Sequence, residues 1–278
     1  MANVRIVTDS ACDLPPALCD DLGIEVVPLT IRFGAEELVD RQELTTEQFW
    51  SRLPHAKTLP ETAAPSVGAF ESTFRRLADE GASGIVSIDL SSRLSATMQS
   101  AEVAAKSLDG TIEVEVVDSL SVTMGTGLLV RHAAERAREG ADVAAITAEV
   151  LERRDRIKML ATLDTLEYLR KGGRIGGAQA LLGSMLSIKP VITVADGVVD
   201  TAGKVRTRSR ALRFIVDRIK EANVEEVCVL HAQAPDVDQF VEMLRPIAGD
   251  REILVGTIGP VVGVHAGPGL LGAVWLER

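Results

Sequence analysis

The sequence predicts an α/β protein built from two domains, and three observations lead to that prediction. Apolar, β-branched runs alternate with helical patterns from residue 4 to about residue 155, which is the rhythm of βαβ units around a mostly parallel sheet. The second half opens differently, because Asp196-Gly197 between two apolar runs is a tight-hairpin signal that implies antiparallel pairing. The chain has 278 residues, 46% of them apolar, which is enough for two cores. We therefore predict a Rossmann-like α/β domain over residues 1–155, an α/β domain with a mixed sheet over residues 156–278, and a ligand between them.

Each element of the first domain follows from its own local pattern. Short apolar runs rich in Val and Ile predict strands at residues 4–7, 24–29, 85–90 and 112–117, and helical periodicity predicts helices at residues 15–22, 45–52, 66–79, 96–107, 123–139 and 143–154. Thr45 and Gln48 form a capping box at the start of one helix, with Thr46 as the alternative cap. Asp13 is placed to cap the helix at residues 15–22, which carries proline in its first turn.

The predicted elements of the second domain begin with the hairpin. Residues 190–195 and 198–201 form the two hairpin strands. Strands at residues 227–231 and 253–258, with a helix at residues 237–244 between them, then return to the α/β rhythm. A Gly-rich segment at residues 259–269 leads to a last strand at residues 273–276.

Composition and charge exclude several classes of protein. A formal net charge of -10 and an aromatic content of 3% argue against nucleic-acid binding, because neither a basic surface nor stacked rings are available. We expect neither a signal peptide nor a membrane-spanning helix, because every long apolar run is broken by Gly, Pro, Lys or His. Cys12, Cys19 and Cys228 lack paired metal spacing, so we expect reduced thiols in a cytoplasmic protein without a metal site.

Two hydroxyl side chains are candidates for holding an anion. Ser95 follows an apolar strand and precedes an Ala-rich helical pattern, so its hydroxyl and the next backbone N–H groups would point at one spot. The alternative is that Ser95 only caps its own helix. Thr62 is expected in a loop before a helix, where Pro65 keeps Ala64 out of helical geometry. The alternative for Thr62 is an ordinary turn residue.

Three more residues are candidates because of where they fall in the α/β pattern. Asp9 and Ser10 follow the first strand, and open α/β sheets bind their ligands at the carboxyl ends of their strands. His265 is expected in the Gly-rich loop, where it can donate a hydrogen bond or, when protonated, hold an anion. A purely structural role remains the alternative for each of them.

Two segments concentrate positive charge in this acidic chain. Arg170, Lys171 and Arg174 lie among four glycines of residues 172–177, which suits a phosphate or an acidic partner, although the Gly-Lys-Ser/Thr triplet of a P-loop is missing. Cations also alternate further on, so that on a strand they would form a basic stripe on one face; these are Lys204, Arg206, Arg208 and Arg210. An edge strand protected by charge is the alternative.

Taken together, the motifs of this chain resemble the DegV family over nearly its full length. Characterised members of that family bind fatty acids and serve as the fatty-acid-binding subunits of bacterial fatty acid kinase. The resemblance rests on six motifs in order: Val7-Thr8-Asp9-Ser10, Thr62-x-x-Pro65-Ser66, Leu90-Ser91-Ser92-x-Leu94-Ser95, Val117-Asp118-Ser119, Leu166-Glu167-Tyr168-Leu169-Arg170-Lys171-Gly172-Gly173-Arg174-Ile175, and Gly259-Pro260-x-x-Gly263-x-His265-x-Gly267-Pro268-Gly269.

The resemblance implies a non-catalytic protein that holds one long-chain fatty acid in a buried tunnel and uses no cofactor. The carboxylate would be held at the positions of Thr62, Ser95 and Ala96, above a pocket floor supported by Asp9 and Ser10. A separate ATP-dependent kinase would then form the acyl phosphate, a step in phospholipid metabolism.

Around the mouth of the implied tunnel, the residues matching Arg170 and His265 would contact the phosphoryl group or the kinase. The chain departs from the family pattern close to the implied head-group pocket, at Ala63, Ala64, Ala96 and Met98.

Two other functions remain open from the residues alone. One is a hydrolase of lipid-like esters with Ser95, His265 and Asp9 as nucleophile, base and orienting acid, although the Gly-x-Ser-x-Gly elbow is missing. The other is a phosphotransferase that binds the nucleotide itself, although no phosphate-binding loop is present.

Overall fold

The computed structural model describes residues 2–278, and the side chains of all of them except residues 184–187. The first half of the chain forms, in order, β1 (Val4–Asp9), α1 (Pro16–Leu22), β2 (Glu25–Val27), β3 (Thr30–Phe33), β4 (Glu36–Val39), α2 (Thr46–Arg52), β5 (Glu61–Ala63), α3 (Val67–Asp79), β6 (Gly84–Asp89), α4 (Thr97–Lys106), β7 (Val114–Asp118), α5 (Met124–Arg138) and α6 (Val143–Arg156).

The second half continues with β8 (Ile157–Thr162), α7 (Glu167–Lys171), β9 (Lys189–Ala195), β10 (Val198–Val205), α8 (Arg208–Glu221), β11 (Val224–His231), α9 (Val237–Ala248), β12 (Leu254–Thr257), α10 (Pro260–Ala266) and β13 (Leu271–Glu277). Short 3-10 helices cover Ser10–Cys12, Leu53–His55 and Gly176–Ser187.

The first half is built on a parallel sheet with the strand order β2-β1-β6-β7. Val7 in β1 pairs with Glu25 on one side and with Ser87 on the other. Because β1 and β6 are parallel neighbours, the segments that follow them emerge at the same edge of the sheet. This edge therefore carries the loops that contain Ser10 and Ser95.

The second half is built on a mixed six-stranded sheet with the order β10-β9-β8-β13-β11-β12. Within residues 2–278, β11 and β12 are the one parallel pair of this sheet. The predicted hairpin joins β9 to β10, and Asp196 and Gly197 both have positive φ, at 48° and 78°. Positive φ at both central residues is the signature of a type I′ turn. The predicted α/β class, with a mostly parallel first half and a mixed second half, is confirmed.

The hydrophobic core is shared between the two sheets. One cluster of buried apolar side chains contains residues from both halves, such as Ile6, Leu128, Leu163 and Val274. Helix α5 contacts β1 on one side and β8, β11 and β13 on the other, so it lies between the sheets. The division into domains at residue 155, near the end of α6, stays a prediction.

Several local predictions need correction. The strand predicted at residues 24–29 is shortened to β2 (Glu25–Val27). The next strand, β3, was not predicted and forms the centre of a separate antiparallel sheet with the order β4-β3-β5. Asp13 does not cap α1, because Pro15 occupies the N-cap position. Instead, Asp13 ends the 3-10 helix Ser10–Cys12 with a φ of 52°. The capping box at the start of α2 is confirmed, with Thr45 as the N-cap.

The basic stripe predicted along a strand is wrong. Strand β10 ends at Val205, and Thr207 begins a helix by accepting a hydrogen bond from the N–H of Arg210. Arg208 pairs with Asp236 at 2.7 Å, so it is not a free surface charge. The alternating charges predicted a continued strand, but the helix cap at Thr207 ends the extended segment two residues after β10.

Two further observations concern thiols and membranes. Cys12, Cys19 and Cys228 are free and buried. Within residues 2–278, no helix combines the length and the apolar character that crossing a membrane requires.

Candidate functional site

The candidate site is a cavity of about 70 Å³ whose walls come from both halves of the chain. Its polar lining residues are Thr62, Ser95, Arg174 and His265. The other lining residues are apolar: Leu29, Leu90, Leu94, Val122, Val199, Val261, Val262 and Ala266. Three residues predicted as candidates from separate motifs are thus brought together around one space.

Strand β5 positions Thr62, because Thr62 pairs with Ile31 of β3. The expectation that Thr62 lies in a loop is therefore wrong, since β3 provides a pairing partner that the local sequence does not reveal. The hydroxyl Oγ1 of Thr62 lies 3.1 Å from Nε2 of His265, within hydrogen-bond distance. One atom of this pair donates and the other accepts, according to the tautomer of the ring.

The loop between β6 and α4 positions Ser95. Its hydroxyl lies 2.9 Å from Oγ1 of Thr97, and its N–H donates to the carbonyl of Ser91. The cap of α4 is Ala96, which makes no side-chain hydrogen bond, so Ser95 does not act as the N-cap of this helix. Ser91 in turn donates to the carbonyl of Gly197 at 2.7 Å, which ties the loop to the β9–β10 hairpin.

His265 lies in helix α10, which corrects the expectation of a loop. Gly259 is the N-cap of this helix and Pro260 its first residue, an arrangement that proline favours. Burial and the nearby charge of Arg174 lower the pKa of His265 to about 4. The ring is therefore neutral at neutral pH, and Oγ1 of Thr62 is its hydrogen-bond partner.

Arg174 is the cation among the lining residues of the cavity, whereas the sequence indicated it only as one of three cations in the Gly-rich segment. Its Nε donates to the carbonyl of Leu94 at 3.0 Å and its Nη1 to the carbonyl of Gly172 at 2.8 Å. Arg170, which the resemblance favoured, is exposed at the end of α7 and does not line the cavity. Both arginines stand among glycines, so no local signal separates the buried one from the exposed one.

Asp9 and Ser10 lie one layer behind the cavity. The two carboxylate oxygens of Asp9 accept the N–H groups of Ala11, at 2.8 Å, and Leu90, at 2.7 Å. Ser10 accepts the N–H of Leu29 at 3.1 Å. Burial raises the pKa of Asp9 to about 6. These two residues support Leu29 and Leu90, which line the cavity themselves.

Comparison with known proteins assigns the chain to a family. A family described as "Uncharacterised protein, DegV family" matches residues 3–278. The chain belongs to the DegV family. It is 38% identical over 282 residues to a DegV domain-containing protein of Streptomyces coelicolor and 36% identical over 284 residues to one of Halalkalibacterium halodurans, with 99% of each chain covered in both cases.

Solved structures of DegV proteins share this fold. A DegV family protein from Thermus thermophilus, described for its fatty acid binding, matches with a TM-score of 0.91 and 32% identity, covering 99% of this chain and 100% of that chain. A fatty acid binding DegV family protein from Streptococcus agalactiae matches with a TM-score of 0.90 and 25% identity, with both chains fully covered.

In this DegV chain, Ser95, His265 and Asp9, the three residues of the hydrolase alternative, are hydrogen-bonded to other groups and not to one another. His265 is within hydrogen-bond distance of Thr62, Ser95 contacts Thr97, and both carboxylate oxygens of Asp9 accept backbone N–H groups. No chain of hydrogen bonds from Ser95 through His265 to Asp9 is present among them. The arrangement therefore lacks the contacts through which a general base activates a serine.

The departures from the family pattern lie outside the cavity lining. Ala63 and Ala96 are exposed, and Ala64 and Met98 are half-buried. Among the side chains that the structure describes, no group of three or more His, Cys, Asp or Glu residues is placed to hold a metal ion.

Proposed function

We propose that this protein binds a long-chain fatty acid with its carboxylate at the polar corner of the cavity and its acyl chain among the apolar lining. The observation that carries the proposal is the segregation of the lining: the polar groups belong to Thr62, Ser95, Arg174 and His265, and every other wall is apolar. A ligand with one anionic end and a long apolar body matches that division.

The energetics of such a ligand favour this site. Burying an acyl chain contributes roughly 0.8 kcal/mol per CH₂, so a long chain provides on the order of 10 kcal/mol before ordering costs are subtracted. The carboxylate is the costly part, because it loses its water. Hydroxyl groups from Thr62 and Ser95 and the nearby guanidinium of Arg174 offset that cost through charge-assisted hydrogen bonds.

The acyl chain must separate the apolar walls in order to enter. The cavity of about 70 Å³ is well below the roughly 300–1,000 Å³ of sites that enclose a small ligand. We therefore propose that the buried tunnel forms as the fatty acid spreads side chains such as Leu94, Val122 and Val199. These three come from the β6–α4 loop, the segment before α5 and strand β10, which are different parts of the chain.

We infer that the bound carboxylate is presented to a separate ATP-dependent kinase, which forms an acyl phosphate for phospholipid metabolism. The exposed Arg170 on α7 supports this role, because α7 packs against α10, the helix that carries His265. The protein itself would catalyse nothing and would act in the cytoplasm, where ATP is available.

Mass spectrometry tests the lipid proposal. We expect the purified protein to carry a fatty acid, and we expect Ser95→Ala to weaken retention by about 1.5–3 kcal/mol, because the buried carboxylate loses a donor. Ser107→Ala is the matched control, since Ser107 lies at the other end of α4, outside the cavity lining, where its hydroxyl donates to the carbonyl of Ala104. Undiminished lipid occupancy in Ser95→Ala would remove this residue from the head-group site, and a bound nucleotide without lipid would favour the phosphotransferase.

A further inference from the structure

Asp13 connects the first half of the chain to helix α10 of the second half. Its positive φ of 52° is a conformation that Asp adopts more readily than most residues. From there its Oδ1 accepts the N–H of Gly259 at 3.0 Å, across 246 residues of sequence. Asp13 is only 5% exposed, so this carboxyl group is held inside the protein.

Gly259 is the residue on which helix α10 begins. This short helix supplies Val261, Val262, His265 and Ala266 to the cavity lining. A Cβ at position 259 would lie 2.9 Å from Oδ1 of Asp13, so the carboxyl group packs directly against this backbone. The position of the helix, and with it the ring of His265, is therefore tied to Asp13.

Resting on the fatty-acid site proposed above, we propose that Asp13 is a positioning residue of that site. Its carboxylate holds α10 where His265 meets Thr62, and uptake of a proton by that carboxylate loosens the hold and weakens fatty-acid binding.

The chemistry of the contact sets the direction of the effect. An N–H group that donates to a carboxylate favours the charged form, so by reciprocity the charged form favours the contact with Gly259. Burial opposes this and raises the pKa of Asp13 to about 7. The charge on Asp13 therefore changes between about pH 6 and pH 8, and α10 is held best at the alkaline end.

Other titratable and charged groups face Asp13 from the elements around it. Arg41 favours its charged form and Asp40 opposes it. Arg41 and Asp40 follow β4, and Glu47 on α2 lines the same surface groove as Asp13. Arg41 also interacts with three further titratable groups, which are Asp9 on β1, Cys12 in the 3-10 helix and Cys19 on α1. Since Asp9, Asp40 and Cys19 also titrate near neutrality, the test must isolate Asp13 by substitution.

The first experiment measures palmitate binding by the delipidated protein at pH 5.5 and pH 8. Asp13→Asn keeps an acceptor oxygen but removes the charge, and a charged acceptor bonds roughly twice as strongly as a neutral one. We expect palmitate to bind about fivefold more weakly to Asp13→Asn than to the parent at pH 8, and equally well at pH 5.5, where Asp13 is protonated in the parent. Asp142→Asn, which alters the exposed cap of α6, is the matched control and should follow the parent at both pH values.

A difference between Asp13→Asn and the parent that is the same at both pH values, or no difference at either, would overturn the proposal. Asp40→Asn is a second control. Because it retains Asp13, it should still bind palmitate more tightly than Asp13→Asn at pH 8 and equally well at pH 5.5. If Asp13→Asn does not fold, Gly259→Ala replaces it: the added Cβ would lie 2.9 Å from Oδ1 and disturb the contact that the charged carboxylate makes, so binding should weaken more at pH 8 than at pH 5.5.

The second experiment does not depend on lipid. Nε1 of Trp50 donates to the carbonyl of Ile258 at 2.9 Å, next to Gly259, so the indole N–H reports on the start of α10. We expect its NMR resonance, assigned with the help of Trp275→Phe, to titrate with a midpoint near pH 7 in the parent and not in Asp13→Asn. Equal titration in both proteins refutes the role of Asp13, whereas a titrating Trp50 in a protein that binds no palmitate refutes only the proposed function.

Discussion

Single residues determine which charges face the cavity. Arg170 and Arg174 belong to one Gly-rich motif, yet Arg170 is exposed and Arg174 is half-buried against Leu94 and Gly172. The side chain of Arg174 is anchored by two carbonyl groups, so its charge stays beside His265, where burial and that charge together lower the pKa of the ring. Arg170 is exposed, so it is the candidate for contact with the proposed kinase.

We therefore expect lipid binding and kinase-dependent turnover to separate between these two residues. Arg174→Gln should weaken fatty-acid binding about tenfold, because the carboxylate loses a charged donor. Arg170→Gln should bind the fatty acid as the parent does and yield less acyl phosphate when kinase and ATP are added. The measurements are lipid affinity and acyl-phosphate formation for each variant. A proportional loss of both in Arg170→Gln would place Arg170 in the carboxylate site.

At the level of elements, the β9–β10 hairpin closes one side of the site. At its tip, the carbonyl of Gly197 accepts a hydrogen bond from the hydroxyl of Ser91. The neighbouring carbonyl of Asp196 accepts a hydrogen bond from Nη1 of Arg93 at 2.8 Å. These bonds join the second half of the chain to the loop that carries Ser95. The hairpin thus contributes Val199 to the cavity and also fixes the opposite wall.

Substitution of Gly197 tests this contact. Gly197→Ala has to adopt a φ of 78° and places Cβ 2.4 Å from Oγ of Ser91. Gly34→Ala is the matched control, because its φ of 64° is also positive but no atom lies within 4 Å of the added Cβ. We expect urea denaturation to show a loss of about 1–2 kcal/mol for Gly34→Ala from backbone strain alone, and about 1 kcal/mol more for Gly197→Ala. Equal losses would mean that the hairpin tip adapts to the extra methyl group.

For the whole molecule, buried carboxyl groups link stability to pH. Burial raises the pKa of Asp9, Asp13 and Asp40 to about 6–7, and it raises that of Asp89 well above its usual range. A carboxyl group with a raised pKa in the folded protein favours folding while it is protonated, and that contribution is lost as the pH rises through the folded-state pKa. Below about pH 6.5 three partly buried histidines oppose this trend, because folding lowers their pKa values and keeps the rings neutral; these are His132, His231 and His265.

These acids should lower the free energy of unfolding between pH 6.5 and pH 8, by an amount on the order of 1 kcal/mol or more. Cys19 acts in the opposite direction, because its hydrogen bond with Cys12 lowers its pKa to about 7, so the test compares the parent with a variant of one acid. Asp89→Asn mimics the protonated acid, so it should be more stable than the parent at pH 8, and the gain should shrink at pH 6.5. Chemical denaturation at the two pH values measures both effects. A gain of Asp89→Asn over the parent that is no larger at pH 8 than at pH 6.5 would contradict the raised pKa of Asp89.

Much of the fold and part of the site could be predicted from the sequence because the signals are local. The alternation of strands and helices, the Asp196-Gly197 turn and the capping box of Thr45 depend on residues within a few positions of one another. The motifs that contain Thr62, Ser95 and His265 were likewise recognisable in order along the chain, and all three residues line the cavity.

The α/β class, the elements with strong local signals, and the candidate hydroxyls and histidine could therefore be predicted from local patterns alone. Three outcomes became visible in the folded protein: Thr62 lies on a strand, Arg174 rather than Arg170 lines the cavity, and Asp13 accepts a hydrogen bond from Gly259 instead of capping α1. All three have the same cause. These outcomes depend on strand partners, burial and hydrogen bonds between residues far apart in the chain. A local sequence pattern does not show which distant residues will come into contact.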